Sequence, residues 1–150
     1  MKIKKEKFGD RKDGIWIKES DPMHIFVPYL YPHRADCEAF ISERIDLENI
    51  NRYLEEKNKG IEEDQYKLFH VILAAIVKTL TLRPKMNYFI KGYRTYKRPN
   101  VSLAFVVKKK FADNGSEALA FLEFDGTTTI DAVKERVYAE INECRSDKID

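Results

Sequence analysis

The sequence predicts an α/β fold, a two-layer sandwich in which a mixed β-sheet carries helices on one face, within a single domain spanning residues 1–150. The densest apolar run, residues 66–82, has the length and composition of a buried helix. Residues 47–57 and 130–144 place apolar side chains at helical spacing. Short apolar segments bounded by turn residues read as strands, and this order of elements is typical of helices packed on a sheet.

The amino-terminal third predicts less regular structure. The charged residues 1–13 are expected to be loosely attached, and residues 25–32 to form a partly buried connector, because two prolines there disfavour a long helix. Residues 37–46 read as a strand. Asp46 is the expected N-cap of the helix over 47–57, and Gly60 is suited to the position just past its end.

The run over residues 66–82 is predicted to be the central helix. Val71 to Val77 contains no polar side chain, whereas a surface helix keeps a polar stripe, so this helix is expected to be buried almost all round. It is too short to span a bilayer, and Lys67, His70 and Lys78 interrupt it.

The remaining residues predict four strands and a final helix. The strands are expected at 87–92, 93–98, 101–109 and 118–124, with a strong turn signal over residues 113–116. Thr129 is the expected cap of the helix over 130–144.

Composition excludes several classes of protein. Twenty-seven basic and 25 acidic residues give a net charge of +2, too balanced to indicate a nucleic-acid or membrane-surface partner. Two cysteines form no disulfide framework and no CxxC pattern. The amino terminus lacks the apolar segment of a signal peptide, so a cytoplasmic location is expected.

Two stretches resemble the chloramphenicol-acetyltransferase-like family, which includes the acyltransferase subunits of the 2-oxoacid dehydrogenase complexes. The first is Tyr-Pro-His-Arg-Ala-Asp-Cys at residues 31–37, followed by a segment ending Arg-Ile-Asp-Leu at 44–47 and a helix. The second is the apolar helix that closes in Arg-Pro-Lys-Met-Asn at 83–87, similar to the family's helix ending in Pro-x-Leu-Asn before a strand. The resemblance runs from about residue 8 to the end and implies the amino-terminal half of that fold.

The chain departs from the family at the catalytic signature, His-x-x-x-Asp-Gly, which lies in the family's carboxy-terminal half. Four positions after His24, His33 and His70 stand Pro28, Cys37 and Ala74, so no histidine here matches. The resemblance therefore implies a fragment, one half of a split protein or a shortened relative. No catalytic residue is assigned, and this chain alone is expected to be inactive.

The resemblance implies transfer of an acyl group from a coenzyme A thioester to a hydroxyl or thiol, with a histidine as general base. Tyr31, Cys37 and Phe105 are the positions that correspond to the family's acceptor pocket; the simpler interpretation is that they fill the core. The family's trimers imply a homo-oligomer, or a missing carboxy-terminal half as partner. The alternative function is a non-catalytic binding or assembly module with the same fold.

Other clusters favour structural interpretations. His33, Asp36 and Cys37 fit no zinc spacing, and His33 is too near Cys37 in sequence to be expected to activate it. His70 on the central helix is typical of a core histidine. The lysines at 108–110 favour a solvated sheet edge over a phosphate site, and residues 93–98 favour an exposed strand pair or subunit contact over base stacking.

Overall fold

The computed structural model describes residues 8–18, 21–110 and 115–146. The chain forms two compact units: the first combines Met1–Ile45 with Leu82–Pro99, and the second combines Asp46–Thr81 with Asn100–Asp150. Helices and strands occur in both, so the α/β class is confirmed. The assignment of residues 1–150 to one domain stays a prediction.

Over its described residues, the first unit contains a three-stranded antiparallel sheet in the order β1-β3-β2 and one α-helix. Its elements are β1 (Ile15–Trp16), α1 (Pro22–Leu30), β2 (Tyr88–Lys91) and β3 (Arg94–Lys97). Lys91 pairs with Arg94, so Gly92 and Tyr93 alone form the β2–β3 turn. At Gly14 a Cβ would lie 2.7 Å from the Phe89 ring, so glycine lets the chain pass close to β2.

The connector predicted over residues 25–32 is wrong, because residues up to Leu30 belong to α1. The Asp21 carboxylate caps this helix by accepting a hydrogen bond from the Met23 N–H at 2.8 Å, and Pro22 occupies the first turn, where no N–H is needed. Pro28 falls in the last turn, and the helix ends two residues later.

The second unit packs helices against a two-stranded sheet. Its elements are α2 (Glu48–Lys57), α3 (Leu68–Leu82, to Thr81 in this unit), β4 (Val101–Lys108), β5 (Glu117–Phe124) and α4 (Ile130–Arg145). Strands β4 and β5 are antiparallel, from Val101 opposite Phe124 to Lys108 opposite Glu117. Alternate residues of both strands join α3 and α4 in one apolar cluster: Leu73, Val77, Val101, Leu122, Phe124, Val133 and Val137.

The caps of the second unit mostly follow the sequence signals. The Thr129 hydroxyl accepts a hydrogen bond from the Ala132 N–H at 3.3 Å, which confirms the predicted cap of α4. The Asp46 carboxylate accepts from the Glu48 N–H at 2.9 Å, but the N-cap of α2 is Leu47, one residue later than the predicted Asp46. Gly60, just past α2, has a φ of +78°, as expected of a residue after a helix end.

The prediction that the central helix is buried all round is wrong. Only His70, Leu73 and Val77 of α3 are buried, whereas Phe69 and Ile72 are 39% and 47% exposed. The helix meets the β4–β5 core along one stripe, so its opposite stripe stays open even though the sequence there is apolar.

The predicted strand over residues 37–46 is also wrong. Residues 34–37 form a 3₁₀ turn, and no regular element covers residues 38–47. Phe40, Ile41 and Ile45 are 94%, 85% and 73% exposed. A strand needs a neighbour for its backbone N–H and C=O groups, and no described strand pairs with this segment. Over the described ranges the structure therefore contains two small antiparallel sheets in place of the single mixed sheet predicted.

Candidate functional site

A cavity of about 800 Å³ in the first unit contains two of the three predicted site residues. It is an open pocket between the end of α1, the turn that follows and the β2–β3 hairpin. Its walls combine aromatic, basic and thiol side chains: Pro28, Tyr31, Pro32, His33, Arg34, Cys37, Glu38, Tyr88, Phe89, Ile90, Lys91, Gly92 and Tyr93. A concave, largely apolar pocket with a few polar groups is the usual form of a small-molecule site.

The Arg34–Cys37 3₁₀ turn sets one wall of this cavity. The His33 N–H donates to the Asp36 carboxylate at 3.2 Å, and the Asp36 N–H donates to the His33 carbonyl at 3.1 Å, which closes the turn. Arg34 forms an ion pair with Glu38 at 3.3 Å while 92% of its side chain stays exposed. The turn thus leaves the Arg34 guanidinium largely exposed at the cavity wall, where it could contact an anionic or polar ligand.

Tyr31 and Cys37 are brought together by this turn. The Cys37 thiol lies 3.9 Å from the Tyr31 carbonyl oxygen, and its sulfur is free and exposed. The Tyr31 side chain is half exposed. A phenol and a thiol at the mouth of one pocket are suited to contacting an acceptor molecule, and neither is buried as core packing would require.

The opposite wall is a turn in an unusual backbone conformation. Gly92 and Tyr93 have φ values of +57° and +61°, and Tyr93 is a bulky residue in the left-handed region. Its ring stacks on Tyr29 of α1 with centroids 4.6 Å apart and planes 7° from parallel. The stack packs the β2–β3 turn against α1. Sequence reasoning missed this pair, because no sequence signal linked the two tyrosines.

A second cavity of about 510 Å³ lies between α1 and the sheet of the same unit. His24, Asp21 and Lys85 are among its polar lining residues, beside the apolar Val27 and Phe89. No function was predicted for His24.

Phe105 belongs to the second unit, where it lies on the inner face of β4. Its ring meets Phe69 edge-on at 5.2 Å between centroids, and it packs against the core that contains Val107 and Ala120. These contacts favour the core-packing interpretation for Phe105, whereas Tyr31 and Cys37 line a cavity.

His70 performs a structural task at the start of α3. Only 2% of it is exposed, and its Nδ1 accepts a hydrogen bond from the Lys67 N–H at 2.9 Å, which satisfies a donor of the first helical turn. Burial, and then the nearby charges of Lys67 and Lys134, lower the pKa of His70. The histidine is therefore neutral near pH 7, as a core acceptor should be.

Among residues 8–18, 21–110 and 115–146, no group of three or more His, Cys, Asp or Glu side chains is placed to hold a metal ion. No helix within the same ranges has the length and apolar character needed to cross a membrane.

Comparisons of the chain with protein-family models, with curated proteins and with solved structures give no match.

Proposed function

We propose that this chain is the amino-terminal part of a coenzyme A-dependent acyltransferase of the chloramphenicol-acetyltransferase-like type, with an incomplete form of that family's sandwich. In this proposal its first unit contributes to the acceptor pocket, and the catalytic histidine comes from a segment or partner outside these 150 residues. The reaction moves an acyl group from a coenzyme A thioester to a hydroxyl or thiol.

The order of elements supports this assignment. The His-Arg-x-x-Cys segment precedes α2, and α3 leads through the 3₁₀ turn Pro84–Asn87 directly into β2. Strands β3, β4 and β5 and helix α4 follow in the order that the resemblance implies.

The single observation that carries the proposal is the unpaired segment over residues 38–47. Phe40, Ile41 and Ile45 are apolar and β-branched or aromatic, which suits a strand, yet at least 73% of each is exposed. Side chains of this kind in water are costly, since burying one stabilises a protein by roughly 1.5–3 kcal/mol. Another polypeptide segment that pairs with residues 38–47 as a strand, and packs against their side chains, would satisfy the backbone and bury these residues.

Tyr31 and Cys37 take the role of acceptor contacts because they line one open cavity. Phe105 packs in the second unit, and we assign it no direct contact with the acceptor. The general base is the histidine that lies outside these 150 residues. The hydrogen-bond donors that stabilise the oxyanion come from the same part of the enzyme. By resemblance the assembled enzyme is a trimer.

The test combines this chain with a carboxy-terminal half that carries His-x-x-x-Asp-Gly and comes from the same genome. Loss of thioester absorbance from acetyl-coenzyme A is followed with chloramphenicol or dihydrolipoamide as acceptor. Turnover is expected only when both polypeptides are present, and not when that half carries His→Ala. Tyr31→Ala should raise KM for the acceptor, whereas Tyr53→Ala, on α2, should leave KM unchanged. If the mixture neither associates nor consumes thioester, the proposal fails.

The alternative is a non-catalytic binding or assembly module. The apolar side chains that α1, α3 and β5 present to solvent favour it, because the pairing proposed for residues 38–47 does not account for them. This role predicts stable complexes without acyl transfer in any combination.

A further inference from the structure

The outer face of the β4–β5 hairpin is apolar at its centre and charged at its ends. Eight side chains form this outer face, all of them exposed: Ser102, Ala104, Val106 and Lys108 from β4, and Glu117, Leu119, Phe121 and Glu123 from β5. Val106, Leu119 and Phe121 are 59%, 55% and 64% exposed. The inner face of the same two strands is the core of the second unit, so only this side is open.

The outer face has a pattern that complements itself across the two strands. At each level a side chain of β4 stands opposite one of β5; the two differ in size or charge at three of the four levels, and Val106 opposite Leu119 is an apolar pair. Ala104 is opposite Phe121, a small residue beside a large one. Lys108 is opposite Glu117, a positive charge beside a negative one.

We propose that the outer face binds the outer face of a second copy of this chain, related by a two-fold axis parallel to the strands. That rotation places β4 of one copy over β5 of the other and keeps every residue at its own level. Phe121 then meets Ala104 of the second copy, and Lys108 meets Glu117 of the second copy. Each contact occurs twice, as in any isologous interface.

Charge distinguishes this arrangement from the other two-fold pairing of the same faces. An axis perpendicular to the strands reverses the levels, so Glu117 lies over Glu123 of the second copy, twice, and Lys108 lies over Ser102. Like charges facing each other disfavour that pairing. The parallel axis instead gives two Lys–Glu contacts at one end of an apolar centre.

The size of the outer face sets the strength to be expected. Each of the two strands has eight residues. At the usual rise of about 3.4 Å per residue and strand spacing of about 4.8 Å, the outer face measures roughly 27 Å by 10 Å. This is below the area of a standard stable interface. We therefore expect a reversible dimer that depends on protein concentration, and the pairing does not rest on the acyltransferase chemistry.

The test is a charge-swap experiment on the full 150-residue chain. Lys108→Glu and Glu117→Lys are each measured by sedimentation over roughly a hundred-fold range of concentration. Each single variant places like charges across the interface, so its dimerisation should weaken at least about tenfold. Mixing the two variants, with one isotope-labelled, should restore a mixed dimer that native mass spectrometry identifies.

The mixture distinguishes association from damage to the fold. Lys108 and Glu117 also face each other within one copy, and mixing leaves that internal repulsion unchanged, so recovery on mixing must come from contacts between copies. Lys78→Glu, on the exposed side of α3, changes the net charge by the same amount as Lys108→Glu. Because Lys78 lies outside the outer face, this variant should dimerise as the unmodified chain does. For the 150-residue chain measured alone, a monomer at every concentration, a trimer, or single variants that dimerise normally would each overturn the proposed pairing.

Discussion

Replacing Tyr66 by phenylalanine should loosen the segment that joins α2 to α3. The Tyr66 hydroxyl donates a hydrogen bond to Asp131 Oδ1 at 2.7 Å, and the Lys57 ammonium lies 2.9 Å from the same oxygen. Asn58 holds the other side of Tyr66: its carboxamide oxygen accepts from the Tyr66 N–H at 2.8 Å. The group thus joins the end of α2 and the start of α3 to the first turn of α4.

The magnitude follows from the exposure of the acceptor. A hydrogen bond to a charged group contributes about 1.5–3 kcal/mol when it is well buried. The Asp131 side chain is 51% exposed, so solvent weakens the contact, and we expect Tyr66→Phe to lower the free energy of unfolding by about 1 kcal/mol.

The effect should depend on pH with a definite sign. Hydrogen bonds from Tyr66, and then from Lys57, lower the pKa of Asp131 from its ordinary value of 3.8. Because the folded-state pKa is the lower one, the contribution is fully present above 3.8 and is lost as the pH falls through the folded-state value.

The assay is a double-mutant cycle of Tyr66→Phe and Asp131→Asn in urea, at neutral pH and in acid. Far-UV circular dichroism reports mainly on α2, α3 and α4, which belong almost entirely to the second unit. The cycle yields the coupling free energy between Tyr66 and Asp131, free of the separate effect of the Asp131 charge on the α4 dipole. Tyr53→Phe, an exposed hydroxyl on α2, should change stability by less than about 0.5 kcal/mol. Additive single effects at neutral pH would refute the coupling, and so would a coupling of equal size in acid.

Three further outcomes are expected. Val137→Ala should destabilise the second unit by about 2 kcal/mol, because the side chain is fully buried in the core; a loss below about 0.5 kcal/mol in urea unfolding would contradict that packing. Tyr29→Ala should lower the stability of the first unit by about 1 kcal/mol, measured by fluorescence of its one tryptophan, and by much less in a Tyr93→Gly background, where no stack remains; equal losses in both backgrounds would count against the stack. Cys37 should react with a thiol reagent in the native protein, whereas burial raises the pKa of Cys144 and delays its reaction until unfolding; two equally fast thiols would contradict the structure.

The elements with local signals were predictable from sequence. Helix α4 was expected over residues 130–144 and spans Ile130–Arg145, because Thr129 supplies a cap and Val133 and Val137 repeat at helical spacing. Strand β4 was expected over 101–109 and spans Val101–Lys108, where alternation is regular. The helix α1 was not predicted, because the two prolines of residues 25–32 disfavour a long helix; Pro28 in fact lies only two residues before the helix end, so it limits the length of α1 without preventing it.

The errors that remain concern tertiary partners, which a local pattern does not contain. The apolar composition of α3 predicted burial on every side, but burial depends on which neighbours are present. The residues over 37–46 have strand composition, yet a strand forms only where another can pair with it. The candidate site was predictable in part for the same reason: Tyr31 and Cys37 share one local turn, whereas the stack of Tyr29 on Tyr93 joins distant segments.

Amide hydrogen exchange over residues 38–47 tests the proposed incomplete sheet most directly. The 150-residue chain is measured alone and with a carboxy-terminal half that carries His-x-x-x-Asp-Gly. We expect the amides of this segment to exchange quickly in the chain alone and to become protected, at least about tenfold, when the half is added and a strand pair forms. Amides that stay unprotected in a complex shown to form by sedimentation would contradict the idea that this segment is a strand awaiting its partner.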